Sequence, residues 1–529
     1  MERRGQCGAL HLKASRRGQF LDILKPGETC WRIETANRAA FLIDTQAHFT
    51  AVYEALLKAK RSILLLGWGF DPRTRLAPDG ADVFGEPDEI GHVLLDLARE
   101  RPDLDIRLLI WKSALPVSAT QEFFPHKARH WFKGTRIHFR LDDQVPVGAC
   151  HHQKALIIDE QLAFLGGGDF CTDRWDSVSH RDDDLRRRLA EHPCHSPRHE
   201  VTVMADGAAA RALGDMFRER WARSPGGEIL DPRPGDPADD PWPAFVKPQL
   251  THVRMALGRT LPAWKRAATV REIRSMTLEA IRRARKTIYI ENQYFTSPIV
   301  AEALAARLAE VDGPEIILVS THHAPSWFDR LTMDRVRGIL VRRLMEADIF
   351  GRFAAYSPDT PGGRPIIVHS KVMVVDDEIA RVGSANLNNR SGGFDTECEW
   401  TLEASTPEHR KAIAAFRDEL VGHYMNKDAA AVARTAARAH SLIRAIEDLN
   451  RGAGRLRPIR PTKLGRAARL IADFHLGDPT ATTDSMRPWK RRKALDQEIR
   501  TIAADGGMRR FMGSLRNLLS GADGPTPSA

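Results

Sequence analysis

The chain repeats itself, and that repetition limits the folds open to it more than any other feature. Near the amino terminus a helical stretch, AHFTAVYEALLKAKR (47–61), runs into the apolar SILLLGW (62–68). Further on, REIRSMTLEAIRRARK (271–286) runs into TIYIENQYF (287–295) in the same way. Both stretches place apolar residues near helical spacing, and both runs that follow have the Ile, Leu and aromatic content of strands. A second strand pair comes next, DIRLLIW (105–111) and PEIILVS (314–320), then a His-Lys-Asp segment in each copy (152–168 and 369–386). Each copy closes on an alternating strand, HEVTVMADG (199–207) or ECEWTLEA (397–404), leading into a helix. Helices and strands alternating in two copies predict two α/β units packed as a pseudo-dimer. The Pro-, Asp- and Gly-rich SPGGEILDPRPGDPADDPWP (224–243) reads as a link between them. The expected division is an amino-terminal extension 1–40, a first half 41–223, a linker 224–264, a second half 265–428 and a basic carboxy-terminal extension 429–529.

The His-Lys-Asp segments carry the chemistry. The first, HHQKALIIDEQLAFLGGGDF, supplies His152, Lys154 and Asp159, with six residues between Asp159 and Gly166. The second, HSKVMVVDDEIARVGSANLN, supplies His369, Lys371 and Asp376, with six residues between Asp376 and Gly383. Residues two apart in a strand face one side, so each His projects with its Lys. The small residues that follow let backbone approach a ligand closely. A cleft fed by both copies holds two imidazoles and two ammonium groups, a set suited to a phosphodiester. The lysines would stabilise non-bridging oxygens as charge builds in the transition state. One neutral imidazole can attack phosphorus to give a phosphohistidine. The other protonates the leaving alkoxide, then takes a proton from incoming water or alcohol. Histidine, with a pKa of about 6.5, reaches either state near neutrality. No cofactor and no metal are expected: the lysines supply the positive charge, and the sequence has no HExxH or metal-spaced carboxylate cluster.

Charge bears on what such a cleft would receive. Of 79 Lys+Arg and 69 Asp+Glu, residues 430–529 hold 19 and 9, leaving 60 and 60 in the first 429 residues. All of the net +10 therefore sits in the last fifth, which argues against a uniformly basic nucleic-acid binder. There GRLRPIRPTKLGRAARLI (454–471) and MRPWKRRKAL (486–495) set Arg and Lys beside apolar residues. That tail is read either as packed on the body or as a hold on anionic lipid. Six scattered cysteines with no CxxC pair read as free thiols. No signal peptide or transmembrane helix is visible, so the expected location is cytoplasmic or peripheral on a membrane, with non-classical export also compatible.

The duplicated motif resembles the signature of the phospholipase D superfamily. GWGFDPRTRL (67–76), GGGDFCTDRWD (166–176), IYIENQYF (288–295), GSANLNNRSGGFDTE (383–397) and RHEVTVMADGAAARALGDMFRERW (198–221) are most similar to phospholipase D proper, bacterial-type. The resemblance covers roughly residues 40–425. It implies an α/β fold of two duplicated α/β/α sandwich units with one shared active site, with motifs at about 146–173 and 363–390. It also implies a catalytic set of His152, Lys154, Asp159, His369, Lys371 and Asp376, with His152 as nucleophile and His369 as general acid/base. The motifs themselves are chemically equivalent and do not order the two histidines. Asp159 and Asp376, seven residues past their histidines and across a strand end, are expected to be structural members of the set. Lys154, Lys371 and Asn386 would bind phosphate oxygens, while the first half has Asp169 where the second has Asn386.

Each catalytic histidine also needs an acceptor on its other nitrogen. The candidates are Asp176 after the first motif and Asp395 and Glu397 after the second, with Asp176 and Glu397 favoured. His151 should face away from the cleft, and His180, His322 and His323 are read as structural or solvated. The expected activity is phospholipase D hydrolysis of glycerophospholipid to phosphatidic acid, with transfer to alcohols. Cardiolipin synthase-type transfer is the first alternative and a nuclease the second. The expected partners are a phospholipid at a membrane surface and water or a small alcohol, with no nucleic acid, in a monomer. Trp111, Trp175, Trp327 and Phe328 near the motifs are expected to pack in the core, a lipid interface being the other reading.

Overall fold

The computed structural model describes residues 23–78, 88–113, 125–187, 194–326, 329–452, 454–460, 477–482 and parts of 493–500. The first half contributes β1 (Arg32–Ile43), α1 (Asp44–Lys58), β2 (Ser62–Gly67), α2 (Ile90–Glu100), β3 (Asp105–Trp111), α3 (Pro125–Trp131) and β4 (His138–Asp142). It continues with β5 (Ala155–Ile158), β6 (Leu162–Gly166), β7 (Arg198–His199), β8 (Val201–Asp206) and α4 (Ala208–Arg223). The second half opens with β9 (Leu250–Leu261), β10 (Val270–Arg271), α5 (Glu272–Arg283), β11 (Thr287–Asn292), α6 (Pro298–Leu308), β12 (Glu315–Val319), α7 (Arg335–Ala347) and β13 (Phe353–Pro358). Then come β14 (Ile367–Val368), β15 (Lys371–Val375), β16 (Ile379–Gly383), β17 (Glu397–Glu403) and α8 (Pro407–His423), followed by α9 (Ala429–Ala439), α10 (Leu442–Leu449) and β18 (Leu456–Pro458).

The predicted α/β duplication is present, and the halves share one mixed sheet. Its order is β18-β13-β12-β11-β15-β16-β17-β9-β1-β8-β6-β5-β2-β3-β4, a near-palindrome about the antiparallel β1–β9 pair. The outer strands β2–β3–β4 and β11–β12–β13 run parallel and are largely buried, which is why SILLLG and EIILV read as continuous apolar runs. Successive residues of β1 serve opposite faces. Phe41 joins one core with α4 and α8, stacking on Phe416, while Ala40 and Leu42 join the other with α1 and α2. On that second face α5, α6 and α7 cover the carboxy-terminal half. The single core shared by α4 and α8 runs across both halves, so helices lie on both faces of the sheet.

This arrangement changes two expected boundaries. The strands that join the halves, β1 and β9, fall largely in the stretches read as an extension (1–40) and a linker (224–264). Both are strands because each finds a partner on either side, β8 and β9 for β1, β17 and β1 for β9. The described part of 429–529 is built into the body. Val432, Leu442, Ile446 and Leu456 enter the shared core, β18 adds to the sheet edge, and Leu495 and Ile499 pack on Ile299. Most of the basic stretches 454–471 and 486–495 lie outside the described residues. Trp111 and Trp175 are buried, whereas Trp327 and Phe328 lie outside the described residues. Among the described residues no helix is long and apolar enough to cross a membrane.

Candidate active site

The two motifs meet where β5 and β15 begin. His152 and His369 each stand just before those strands, on the extended chain that the His-x-Lys spacing requires. Backbone bonds cross between the halves in matched fashion. His152 N–H donates to the Thr396 carbonyl at 3.0 Å, and His369 N–H donates to the His199 carbonyl at 2.8 Å. The next residue on each accepting segment is a glutamate. Glu397 Oε2 therefore lies 2.9 Å from His152 Nδ1, and Glu200 Oε2 lies 2.6 Å from His369 Nδ1. Each half supplies the carboxylate that orients the other half's imidazole. The carboxylates are sealed while the imidazoles reach the surface: side-chain exposure is 0% for Glu397 and 1% for Glu200, against 17% for His152 and 10% for His369.

Both lysines lie inside. Lys154 Nζ donates to the His152 carbonyl at 2.9 Å and pairs with Asp169 at 3.3 Å. Lys371 Nζ donates to the His369 carbonyl and, at 3.5 Å, to Gln293 Oε1. Gly167 forms the floor between the copies: a Cβ there would stand 2.5 Å from Glu200 Oε1 and 2.9 Å from Lys371 Cδ. The glycine run after β6 thus serves close approach of the two motifs. Asn386 follows β16, and its Oδ1 is buried with no hydrogen-bond partner among the described residues.

Burial disfavours charge throughout the centre. It drives the His152 and His369 imidazoles well below the usual histidine range, reinforced by the lysines and, for His369, by Arg198 and Arg174. Burial raises Glu200 to about 7 and Glu397 to about 8 against the pull of those same cations. It lowers Lys371 to about 7, with repulsion from Lys154 adding to the effect. An arriving phosphate monoanion would counter the lysine repulsion and favour protonation of one imidazole.

The expectations for the orienting carboxylates are corrected. Asp176 orients neither catalytic histidine; its carboxylate binds His180 Nδ1 at 2.9 Å, Arg187 and the Arg198 N–H. Asp395 is held by Arg390 and accepts from the Cys150 N–H. Glu397 is an orienting group, but for His152 and not for its own half's His369. Asp159 and Asp376 lie beyond the far ends of β5 and β15 in turns at positive φ. Asp159 accepts from the N–H groups of Lys60, Arg61 and Ser62, and Asp376 from those of Arg285, Lys286 and Thr287. They belong to the motif as staples tying the hairpin to β2 and β11, not to the reacting centre. Glu200 was missed, although HEVTV and TECEW set side by side align it with Glu397. Gln293, beside Lys371, was missed as well. His151 turns away to Asp142 and Thr396.

Comparison with known proteins adds three findings. A family model described as phospholipase D matches residues 55–231, and one described as cardiolipin synthase, PLD-like domain, matches 277–420. Phospholipase D alpha 4 of Arabidopsis thaliana is 23% identical over 483 residues, covering 69% of this chain and 62% of its own length. Phospholipase D A of Dictyostelium discoideum is 24% identical over 435 residues, covering 68% of this chain and 32% of its own. The chain thus spans about three-fifths or less of the length of these relatives. Among solved structures, phosphatidylserine synthase of Haemophilus influenzae aligns at a TM-score of 0.47 and 13% identity, covering 88% of this chain and 94% of that one.

Proposed function

We propose that this chain, which belongs to the phospholipase D superfamily, cleaves the distal phosphodiester bond of a glycerophospholipid to phosphatidic acid and free head group. The observation carrying the proposal is the crossed pairing of His152 with Glu397 and His369 with Glu200 around two buried lysines. With Nδ1 tied to Glu397, the lone pair of His152 Nε2 attacks phosphorus. The P–N bond forms, the bond to the head-group oxygen breaks, and the leaving alkoxide takes a proton from His369. Water then gives a proton to His369 and its oxygen attacks phosphorus; the P–N bond breaks and His152 is regenerated. An alcohol in place of water yields the transfer product. Lys154, Lys371 and the Asn386 amide would hold the non-bridging oxygens.

The surroundings of the two glutamates support that order of roles. Glu397 accepts from both Ser384 and Ser391 hydroxyls, which fixes His152 as a nucleophile should be fixed. Glu200 keeps Oε1 free of hydrogen bonds among the described residues, so its pair with His369 is the less constrained of the two, as suits a group that gives and takes a proton. The phospholipid assignment rests on the names of the relatives and on the charge balance of the first 429 residues. Such an enzyme would work at a membrane surface as a peripheral protein.

A second reading, capture of the same intermediate by a lipid alcohol as in a cardiolipin synthase, is favoured by the family-model match over 277–420. Mass spectrometry of products from mixed phospholipid vesicles with ethanol separates the two. Phosphatidic acid plus phosphatidylethanol supports the first, and cardiolipin redirects it to the second. Consumption of plasmid DNA with every lipid untouched would sink both.

A further inference from the structure

Four buried side chains that this reaction does not use meet beside the centre. They are Asp44 at the start of α1, His180, His199, and His423 at the end of α8 in the other half. Their donor atoms all lie within 4.8 Å of one another. Asp44 Oδ2 stands 3.5 Å from His180 Nε2 and 3.5 Å from His423 Nε2, and those two nitrogens are 2.8 Å apart. His199 Nδ1 lies 2.9 Å from Asp44 Oδ1. The side chains of Asp44, His180 and His199 are 0% exposed and that of His423 is 5% exposed.

Two observations separate this cluster from ordinary histidine packing. Asp44 Oδ2, wholly buried and aimed between two imidazole nitrogens, has no hydrogen-bond donor among the described residues. Leaving a carboxylate oxygen so placed is costly unless a positive group joins it. Two of the imidazoles are also held from behind by carboxylates. Asp176 lies 2.9 Å from His180 Nδ1, and Glu291 lies 2.9 Å from His199 Nε2. Those acceptors are fixed in turn, Asp176 by Arg187 and Glu291 by the Tyr289 and Ser370 hydroxyls. For His180 the outer carboxylate keeps the proton on Nδ1 and turns the Nε2 lone pair toward the cluster, as it does for metal-ligating histidines. His199 lies between two carboxylates that hold it protonated, so a metal ion would take the place of its Nδ1 proton.

We propose that Asp44, His180, His199 and His423 bind one Zn2+ ion that clamps the two halves together. Three imidazoles and a carboxylate form the mixed nitrogen and oxygen set that zinc accepts. Ligand atoms about 2.0–2.1 Å from a tetrahedral zinc stand roughly 3.3 Å apart, inside the spread here, which runs from 2.8 Å between the His180 and His423 Nε2 atoms through 3.5 Å from each to Asp44 Oδ2 and stays within 4.8 Å. A four-ligand site closed to water is structural, not catalytic. Three ligands come from the first half and one from the second, so the ion would tie α8 to the segment carrying Glu200. The sequence carries no local sign of this set because its members are scattered over 380 residues.

The test uses the untagged full-length chain, purified without chelator from zinc-supplemented cells. Elemental analysis should find ~1 zinc per chain. Stripping with dipicolinate should lower Tm, and adding back Zn2+, but not Mg2+, should restore it. His423→Gln should lose at least about tenfold in zinc affinity and lose the Tm response to zinc. If that variant does not fold, stripping and return on the unaltered chain decides alone. Metal-free protein whose Tm ignores added Zn2+ overturns the proposal, as does a folded His423→Gln that holds zinc equally well. Both readouts are metal content and stability, so the outcome is independent of the phospholipase reading.

Discussion

In the first motif copy Lys154 pairs with Asp169 at 3.3 Å; in the second the matching residue is Asn386, and the side-chain acceptor beside Lys371 is the neutral amide oxygen of Gln293 at 3.5 Å. Asp169 is committed elsewhere too, accepting from the N–H groups of Trp68 and Gly69 at the end of β2. One lysine is thus partly neutralised before any ligand arrives. The other is a buried cation lowered to about 7. The orienting glutamates differ in the same sense, Glu397 bound by two serines and Glu200 with one oxygen free among the described residues. Duplication supplied two equal backbones, and a few neighbouring side chains have made one copy rigid and the other responsive.

The largest effects should come from the histidines. His152→Ala and His369→Ala should each lower turnover of phospholipid by about 10^4-fold or more. They should part on an activated aryl phosphodiester, whose leaving group needs no proton: His369→Ala should still form a phosphohistidine detectable by mass spectrometry, and His152→Ala should not. An adduct on His369 in the His152→Ala protein would reverse the assignment. The glutamates come next. Glu397→Gln should cost about 10^3-fold in kcat and Glu200→Gln about 10^2-fold, since loss of an orienting carboxylate misplaces the tautomer. Both glutamates are raised toward neutrality, so both variants should shift the pH dependence of kcat, Glu200→Gln the more because its second oxygen is free of hydrogen bonds among the described residues. Identical shifts in both variants would erase the distinction between rigid and responsive copies.

The parts of this picture legible in the sequence are those with strong local signals. Apolar runs such as SILLLG marked the outer parallel strands, and the His-x-Lys spacing marked the cleft, because both depend on residues close in the chain. β1 and β9 were not legible: RIETANRAAFLI and LTHVRMALGRTL carry charges along their length, and their strand character comes from neighbours on both sides. Glu200 was lost for a related reason. Nearness in sequence points from His152 to Asp176, whereas the pairing crosses the pseudo-symmetry axis. The cluster of Asp44, His180, His199 and His423 draws on both halves and has no sequence pattern at all.

A milder change tests the lysine asymmetry directly. Asp169→Asn keeps an oxygen for the Trp68 and Gly69 N–H groups while freeing Lys154 of its carboxylate. Inorganic phosphate should then bind roughly three- to tenfold more tightly, about 1 kcal/mol. The reciprocal Asn386→Asp should weaken binding by a similar factor. Calorimetric titration measures both, and unchanged affinity in Asp169→Asn would mean that Lys154 does not meet the anion.

The smallest effect concerns stability, in a place where the halves differ by one buried residue. The turn aspartates align Lys60 with Arg285, an offset of 225, so His48 of α1 matches Ile273 of α5. His48 sits among the rings of Phe49, Phe164 and Phe170, and burial alone lowers it to about 3. Unfolded, the same imidazole titrates near 6.5. As pH falls from about 6.5 toward 3 the unfolded chain therefore takes up a proton that the folded chain refuses, and stability is lost across that window. His48→Ile, which copies the other half, removes this linkage. Relative to the parent, the variant's Tm should rise by a few degrees as pH is lowered from about 7 to about 4.5. Parallel Tm–pH curves would show that His48 accepts its proton in the folded state, and the first half would then be as tolerant of acid here as the second.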